Sequence, residues 1–524
     1  MSVQFARKSF LGALAAVSIT LSSFLSGVIV ARMLGLEGTG AVAYVVWLVL
    51  MLAPVLDLGM SPAIMRTVPD LRARGENDRA SWLSGHLGRL LGVSVALGVI
   101  AVWMISGLPG LASHWHTAQP VVGKAGPDVL RYVLPLFVAA QALGAYAYAY
   151  LRGAQAFDQV AKVAGVSLVI QLACVAMGSL WFGVAGAVAG FAAGQLLPAI
   201  MACRLMRSSG TPDSDLRKRV FRYALFAWAG NVANTFVWSR IEVFFLERSS
   251  GYEAVGQFTV ALALTSIAVQ GPQLLTTGFL PLFSAKLGQR DMDATKTAFA
   301  AGTRLLAALA FPACFGMAAV MPVLLPLIYG PAFGGATLAA IILVMAAAVS
   351  VTSVVATNLI HANERSDFVF YTATTGAVLS ILSGFLFIPV FGLIGAAASR
   401  AAIQCLLVGI GCWFVVRRLR YPLPFGSLGL LALAGFACWA AAALCIATIP
   451  GPLSLLAAIP AGAVAYILAL RLLRALPPSD FTLLDKVASA LPKPMSKIAR
   501  ALLKFLAPPP PDAAGPRLPQ ETGA

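Results

Sequence analysis

The chain contains about fourteen stretches of roughly twenty residues with few or no charged side chains. Its residues are 59% hydrophobic and only 11% charged, whereas soluble domains have about 25% charged residues. An apolar run of about twenty residues can cross the ~30 Å hydrocarbon core of a bilayer as a helix. The sequence therefore predicts an all-α integral membrane protein. The predicted spans are 10–31, 40–64, 83–106, 128–150, 163–181, 184–206, 224–246, 255–279, 301–325, 335–358, 369–389, 393–416, 428–448 and 453–471.

Basic residues are concentrated in alternate loops between these stretches. With a cytoplasmic N-terminus, roughly thirty of the 37 Lys and Arg residues fall on cytoplasmic segments, as the positive-inside rule predicts. The first apolar run, after Arg7 and Lys8, is too long for a signal peptide and predicts a retained helix. The net charge of +17 therefore indicates a cytoplasmic membrane surface and no nucleic-acid partner. An even number of spans leaves both termini in the cytoplasm.

Cysteine and histidine residues form no pattern typical of a metal site or a disulfide framework. The seven cysteines lie in or beside apolar stretches, and none belongs to a CxxC pair. His114 and His116 share one loop, but no further metal ligand lies nearby in the sequence. We therefore expect no metal ion and no cofactor.

Three sequence patterns of the first half recur in the second half in the same order. The segment FGVAGAVAGFAAGQ, from Phe182, is repeated as FGLIGAAASRAAIQ, from Phe391. The segments LGLEGTG and SGYEAVG both contain G-x-E-x-x-G and both fall at predicted outer turns. A cytoplasmic turn repeats Pro69, Gly75 and Asp78 as Pro281, Gly288 and Asp291.

This recurrence indicates a duplicated unit of six spans. In both halves the repeated FG segment follows an odd-numbered span, so the two units are predicted to be parallel, related by an axis along the membrane normal. Two six-helix bundles would then face each other across a central cavity, an arrangement typical of alternating access. The predicted domains are an N-terminal bundle (1–210), a C-terminal bundle (211–420), two extra transmembrane helices (421–474), and a cytoplasmic amphipathic helix with a disordered proline-rich tail (475–524).

Several segments together resemble the polysaccharide-export flippases, the Wzx-type members of the multidrug/oligosaccharidyl-lipid/polysaccharide superfamily. They are VARMLGLEGTGAVAY, DLGMSPAIMRTVPDLRARG, LRGAQAF and SRIEVFFLERSSGYEAVGQF, in an order and spacing that cover about residues 5–420. The resemblance implies a flippase that moves an undecaprenyl-pyrophosphate-linked oligosaccharide across the bacterial inner membrane for surface polysaccharide export. It also implies coupling to H⁺ or Na⁺, contact with membrane lipids, and a polymerase and glycosyltransferases as partners.

Five charged residues in or at the ends of predicted spans stand out as candidates, because an ionisable side chain within a membrane usually faces a cavity or a partner. Arg32, Arg240 and Arg400 could bind pyrophosphate in a cationic cavity. Arg32 and Arg240 could equally extend to the outer headgroups, whereas the greater depth of Arg400 favours the cavity. Asp57 and Glu242 are candidates for binding the coupling ion. The turn after Asp57 favours a structural role for it, and for Glu242 the two interpretations are balanced.

Arg400 also occupies the position that corresponds to Phe191 in the first copy. We therefore expect Arg400→Ala to impair flipping with little loss of folded protein, and Phe191→Ala to affect mainly packing. Uncharged polar residues within the spans could bind sugar hydroxyls, although hydrogen bonding between helices is the simpler interpretation for most of them. The polar cavity candidates are Gln141, Asn231, Asn234 and Gln404.

Three other functions remain alternatives at this point. A membrane-embedded glycan polymerase or glycosyltransferase needs an acid/base pair in an outer loop, and the longest outer loop, about 107–127, has none that is plausible. A multidrug or cation antiporter of the same superfamily typically has an acidic or aromatic cavity, whereas the embedded charge here is mainly basic. A non-transporting scaffold for glycan assembly is the third. The sequence favours a flippase, and not an enzyme.

Overall fold

The computed structural model of the chain is helical, and it describes residues 3–106, 126–210, 213–238, 240–477, 480–481, 485 and 493–506. Helices suit a bilayer because each satisfies its own backbone hydrogen bonds where no water is available. In the first half the helices are α1 (Val3–Asp57), α2 (Met60–Ala73), α3 (Asn77–Ser106), α4 (Gly126–Gly153), α5 (Phe157–Met206), α6 (Ser214–Trp238) and α7 (Glu242–Leu274). In the second half they are α8 (Phe279–Gly288), α9 (Met292–Tyr329), α10 (Thr337–Thr352), α11 (Val354–Ala362), α12 (Ser366–Leu386), α13 (Ile388–Arg417), α14 (Phe425–Thr448), α15 (Ser454–Leu473) and α16 (Lys493–Leu506).

Within the described residues, 11 helical segments are long and apolar enough to cross a membrane. Two of them, α1 and α5, each contain two predicted spans joined at a glycine with non-helical backbone angles. The prediction of an all-α membrane protein is thereby confirmed. The helix α6, which covers most of predicted span 224–246, is not among the 11.

The chain divides into two compact units. Unit 1 contains Met1–Ile267, Leu324–Ala346 and Ser366–Leu407, and unit 2 contains Ala268–Val323, Ala347–Arg365 and Val408–Ala524. The bundle boundaries predicted at residues 210 and 420 stay a prediction.

In unit 1, the helix α5 packs along both α1 and α4. Val45, Val138 and Val188, one from each of these helices, are fully buried in a shared apolar core. The helix α6 begins after Asp213, whose Oδ1 accepts hydrogen bonds from the backbone N–H groups of Leu216 at 2.9 Å and Asp215 at 3.0 Å. These bonds lower the pKa of the Asp213 carboxyl below its ordinary value, and the bond from Leu216 has the largest effect.

Four glycines interrupt helices at the points where the sequence predicts outer turns. Gly35 (φ 70°, ψ −163°) has nearly the same conformation as Gly251 (φ 75°, ψ −175°). Gly183 (φ 60°, ψ −135°) likewise matches Gly392 (φ 53°, ψ −130°). A side chain would be strained at these angles, which only glycine adopts readily. The repeat is therefore present in the backbone, with one-residue kinks in place of the expected turns.

The two G-x-E-x-x-G segments pack against each other within unit 1. A Cβ atom on Gly40 would lie 1.7 Å from the carbonyl oxygen of Tyr252, and one on Gly256 would lie 2.5 Å from that of Leu36. Leu36 and Tyr252 each follow the first glycine of their own segment. In each copy the last glycine of the segment thus lies against the carbonyl of the residue that follows the first glycine in the other copy. Such a reciprocal contact is what a two-fold relation between the copies would produce.

Unit 2 includes the C-terminal helices. The helices α14 and α15 pack together, and the Tyr466 hydroxyl on α15 donates a 2.8 Å hydrogen bond to the carbonyl of Ala308 on α9. The guanidinium of Arg471 lies 4.1 Å from the ring centre of Phe505, which joins α15 to α16. The location of α16 on the cytoplasmic membrane surface stays a prediction, and the predicted disordered stretch after it lies outside the described residues.

A buried ion pair joins α9 to Asp480 in unit 2. Nε and Nη2 of Arg304 donate to the two carboxylate oxygens of Asp480 at 2.6 and 2.8 Å. The side chains are only 12% and 8% exposed. This two-pronged geometry is the strongest that an arginine and a carboxylate form, so it fixes residue 480 against the helix.

Arg304→Met should lower the stability of the protein by about 3–5 kcal/mol, because it breaks a buried ion pair by removing one of its two partners. Thermal unfolding of the purified protein in detergent measures this loss. The control is Arg74→Met, which removes an ion pair with Asp70 whose side chains are 63% and 55% exposed and should cost less than about 1 kcal/mol. Equal losses of stability in the two variants would contradict the conclusion that Arg304 and Asp480 form a buried ion pair.

Candidate functional site

The predicted span 224–246 is interrupted in the structure. The helix α6 ends at Trp238 and α7 begins at Glu242, and between them Arg240 has a left-handed φ of 56°, which is uncommon for a residue other than glycine. Its carbonyl accepts a 2.9 Å hydrogen bond from the N–H of Val243. Non-helical backbone at membrane depth is tolerated where it is buried in protein or lines a cavity. Arg240 and Glu242 therefore lie at a helix break, and not inside a continuous span.

The first turn of α7 packs closely against α12. A Cβ atom on Gly384 would lie 2.3 Å from the ring of Phe245, so only a glycine allows this approach. The rings of Phe245 and Phe385 also meet edge to face, with their centres 4.8 Å apart. These contacts hold Glu242, at the start of α7, beside α12 and α13.

Glu242 and Arg400 form an ion pair. Nη1 of Arg400 donates to Oε1 and Oε2 of Glu242 at 3.1 and 3.2 Å. Glu242 is 4% exposed, and the Arg400 side chain is 23% exposed. Arg400 lies eight residues beyond the kink at Gly392, which is about 12 Å along the axis of α13 at 1.5 Å per residue. The structure thus brings together two residues that the sequence assigned to different roles.

A pocket opens beside this ion pair. Its polar lining consists of Glu242, Arg400, Gln404 and Ser380, and its apolar lining includes Ile403. Gln404 lies one helical turn beyond Arg400 on α13, so the two side chains share a face of that helix. The pocket therefore offers a cation and a carboxylate, amide and hydroxyl groups, and an apolar wall.

The first copy has neutral residues at the corresponding positions. The offset that relates Gly35 to Gly251 relates Ser26 to Glu242, and the offset of the FG segments relates Gln171 to Ser380. The buried Gln171 donates from Nε2 to the Ser26 hydroxyl at 3.0 Å. Phe191, at the position of Arg400, packs against the apolar core. The first copy therefore has a hydrogen bond between neutral side chains and a packed phenylalanine ring. At the equivalent positions the second copy has an ion pair and a pocket.

Ser380 did not emerge from the sequence as a site residue. The helix α12 contains several serines and threonines, and such side chains in a helix usually bond to their own backbone. The offset between the copies would have found it, because it aligns Ser380 with a glutamine.

Arg240 adds a second positive charge to this region. It interacts electrostatically with both Arg400 and Glu242 and is half-buried. Two guanidinium groups and one carboxylate leave a net charge of about +1. A partly buried, net positive site favours an anionic ligand.

Arg32 and Asp57 lie away from this pocket. Arg32 donates from Nε to the carbonyl of Ile328 at 2.8 Å and from Nη2 to that of Leu327, so it satisfies carbonyls at the C-terminal end of α9. The buried Asp57 accepts from the backbone N–H of Ser61 at 3.2 Å and also from its hydroxyl. Both residues thus have helix-end partners, and their roles in transport stay predictions.

Two of the other predicted polar residues, Gln141 and Asn231, are not among the described residues that line the pocket. Gln141 is half-buried in α4, and Asn231 is exposed in α6. The side chain of Asn234, and all of His114 and His116, lie outside the described residues. In the part of the chain that the structure describes, no three His, Cys, Asp or Glu side chains are placed to hold a metal ion.

Known proteins of similar fold are membrane transporters and flippases. The structure superposes on "Lipid II flippase MurJ, inward closed conformation" with a TM-score of 0.70 at 13% identity, covering 88% of this chain and 98% of that one. A multidrug resistance MATE family transporter of the MOP superfamily, inward-facing, gives 0.62 at 14% identity over 78% and 95%. A MOP superfamily transporter from Pyrococcus furiosus gives 0.53 at 16% identity over 81% and 95%.

Sequence comparison identifies the family. No curated protein sequence matches the chain significantly. The sequence model of the family described as "Polysaccharide biosynthesis protein" matches residues 5–286, which include the first copy of the repeat, the break at Arg240 and Glu242. The resemblance inferred from the sequence is confirmed at this level: the chain belongs to the polysaccharide biosynthesis protein family and has the fold of the MOP superfamily transporters.

Proposed function

We propose that this protein is a flippase that moves a polyprenyl-pyrophosphate-linked oligosaccharide from the cytoplasmic to the outer leaflet of the bacterial inner membrane by alternating access. Membership of the polysaccharide biosynthesis family and the fold shared with a lipid II flippase support this function. The observation that carries it is the Glu242–Arg400 ion pair at the pocket, to which the nearby Arg240 adds a second positive charge, within otherwise apolar helices.

The chemistry of the pocket suits the junction between lipid and sugar. The guanidinium of Arg400 presents donors in a planar arrangement that matches a phosphate, and Arg240 supplies further positive charge. Gln404 and Ser380 offer the hydrogen-bond partners that a sugar hydroxyl needs, about one turn from the arginine.

The other parts of the proposal follow from the same function. The protein would act without catalysis, with both termini cytoplasmic and with glycosyltransferases and a polymerase acting before and after it. Its coupling ion would be H⁺ or Na⁺. The second candidate is a multidrug or cation antiporter, which the MATE fold supports. The net positive charge of Arg240, Glu242 and Arg400 together favours the anionic lipid over a cationic drug.

Depletion of the protein in its own cell tests the proposal. A flippase predicts that lipid-linked oligosaccharide accumulates on the cytoplasmic face and that surface glycan disappears. Intact surface glycan together with increased sensitivity to cationic drugs would replace the flippase with the antiporter.

A further inference from the structure

The ion pair uses only part of the hydrogen-bonding capacity of Arg400. Among the described residues, its guanidinium bonds to Glu242 through Nη1 alone, whereas an arginine carries five N–H donors. Arg400 itself lines the pocket. Arg400 can therefore form a hydrogen bond to a ligand in the pocket from its present position.

Few other charges can act on Glu242. The facing segments 223–238 of α6, 368–386 of α12 and 388–416 of α13 contain no charged residue except Arg400. Along α7 the next charged residues are Glu247 and Arg248, more than one turn away, and they interact electrostatically with Tyr44. The charge balance at the pocket is thus set by Arg240, Glu242 and Arg400.

A pyrophosphate diester carries two negative charges, and in this pocket it would lie beside the buried carboxylate of Glu242. The two anions repel each other strongly because burial removes the screening by water. Both also require the guanidinium of Arg400. The carboxylate and the pyrophosphate are therefore alternative partners of the same arginine.

We infer that Glu242 is an intramolecular competitor of the substrate: its carboxylate occupies Arg400 in the empty site, and the pyrophosphate displaces it. This inference rests on the proposed function and assigns Glu242 a role in substrate release. Arg240, two residues before Glu242, is a neighbouring cation that can receive the displaced carboxylate. When the pyrophosphate leaves, the carboxylate returns and neutralises Arg400, so that release leaves no unpaired buried charge.

The first copy of the repeat is consistent with this role. Its equivalent of Glu242 is Ser26, which bonds to Gln171, and its equivalent of Arg400 is Phe191. The carboxylate is present only in the copy that has the arginine. At the position of Glu242 the first copy makes a structural hydrogen bond with the uncharged Ser26. A contact that served only structure would therefore not need a carboxylate there.

Binding of farnesyl diphosphate to the purified full-length protein in detergent tests the inference, with farnesol as the ligand that lacks the charge. Glu242→Gln should bind the diphosphate at least about tenfold more tightly than the wild type, because close charge pairs contribute more than about 1.4 kcal/mol. Arg400→Gln should lose this binding. Glu253→Gln, which removes an exposed carboxylate from the same helix, should bind like the wild type.

Weaker or unchanged binding by Glu242→Gln would overturn the inference, because a carboxylate that merely orients Arg400 would help the ligand. If Glu242→Gln does not fold, Glu242→Asp provides the measurement: its shorter side chain withdraws the carboxylate from Arg400 and should also tighten binding. If the wild type, Glu242→Gln and Arg400→Gln all bind diphosphate no better than farnesol, the proposed function fails along with the inference. Diphosphate binding by the wild type that only weakens in Glu242→Gln rejects the inference alone.

Discussion

Gly40→Ala should destabilise the protein by more than about 3 kcal/mol, beyond the usual cost of overpacking. Its new Cβ atom would lie 1.7 Å from the carbonyl oxygen of Tyr252, and a backbone atom cannot rotate away as a side chain can. The two G-x-E-x-x-G segments would have to separate, which breaks the reciprocal contact between the copies. The yield and the unfolding temperature of the purified protein measure this effect.

Gly27→Ala is the matched control on the same helix. No atom lies within 4 Å of its added Cβ, so this variant should keep the wild-type stability or gain up to about 1 kcal/mol from the helix propensity of alanine. Gly256→Ala should fall between the two, because its Cβ would lie 2.5 Å from the carbonyl of Leu36. A Gly40→Ala protein as stable as Gly27→Ala would show that the copies do not meet in this way.

Arg400→Gln should abolish flipping, because it removes the cation that binds the pyrophosphate. It should also destabilise the protein by about 3–5 kcal/mol, since the buried Glu242 loses the guanidinium that bonds to it. The ion pair thus changes the expectation from sequence that loss of Arg400 costs little folded protein. The double variant Arg400→Gln/Glu242→Gln separates the two effects, because it removes both charges. We expect it to fold better than the single variant and to remain inactive in a flipping assay.

Phe191→Ala is the control at the equivalent position of the first copy. It removes a ring that packs against the core, so it should lose stability while each folded molecule keeps its transport activity. Normal flipping by the double variant would show that Arg400 does not bind the substrate.

Local patterns in the sequence were sufficient to predict the helices and the duplication. Hydropathy reports length and apolarity, and these determine whether a helix can span a membrane. The glycines of the repeated segments were visible as a pattern, but their geometry was not, since two residues such as Gly35 and Gly251 could equally belong to turns. The structure shows kinks, and it shows that the segments meet.

The ion pair could not be predicted from the same patterns. Glu242 and Arg400 are 158 residues apart in the chain, and hydropathy carries no information about which distant charges meet. The break at Arg240 was hidden because apolar residues continue on both sides of it. Arg304 and Asp480 escaped notice for a related reason: each looks like an ordinary charge near the end of a span.

The most direct measurement is flipping by the purified protein reconstituted in lipid vesicles. A fluorescently labelled polyprenyl-pyrophosphate oligosaccharide is placed in both leaflets, and a reductant that cannot cross the membrane destroys the label it reaches. Vesicles with wild-type protein should lose nearly all the label, whereas those with Arg400→Gln/Glu242→Gln should lose only the outer-leaflet fraction. If the wild-type vesicles also keep their inner label, and instead accumulate a cationic dye, the protein is not the flippase proposed.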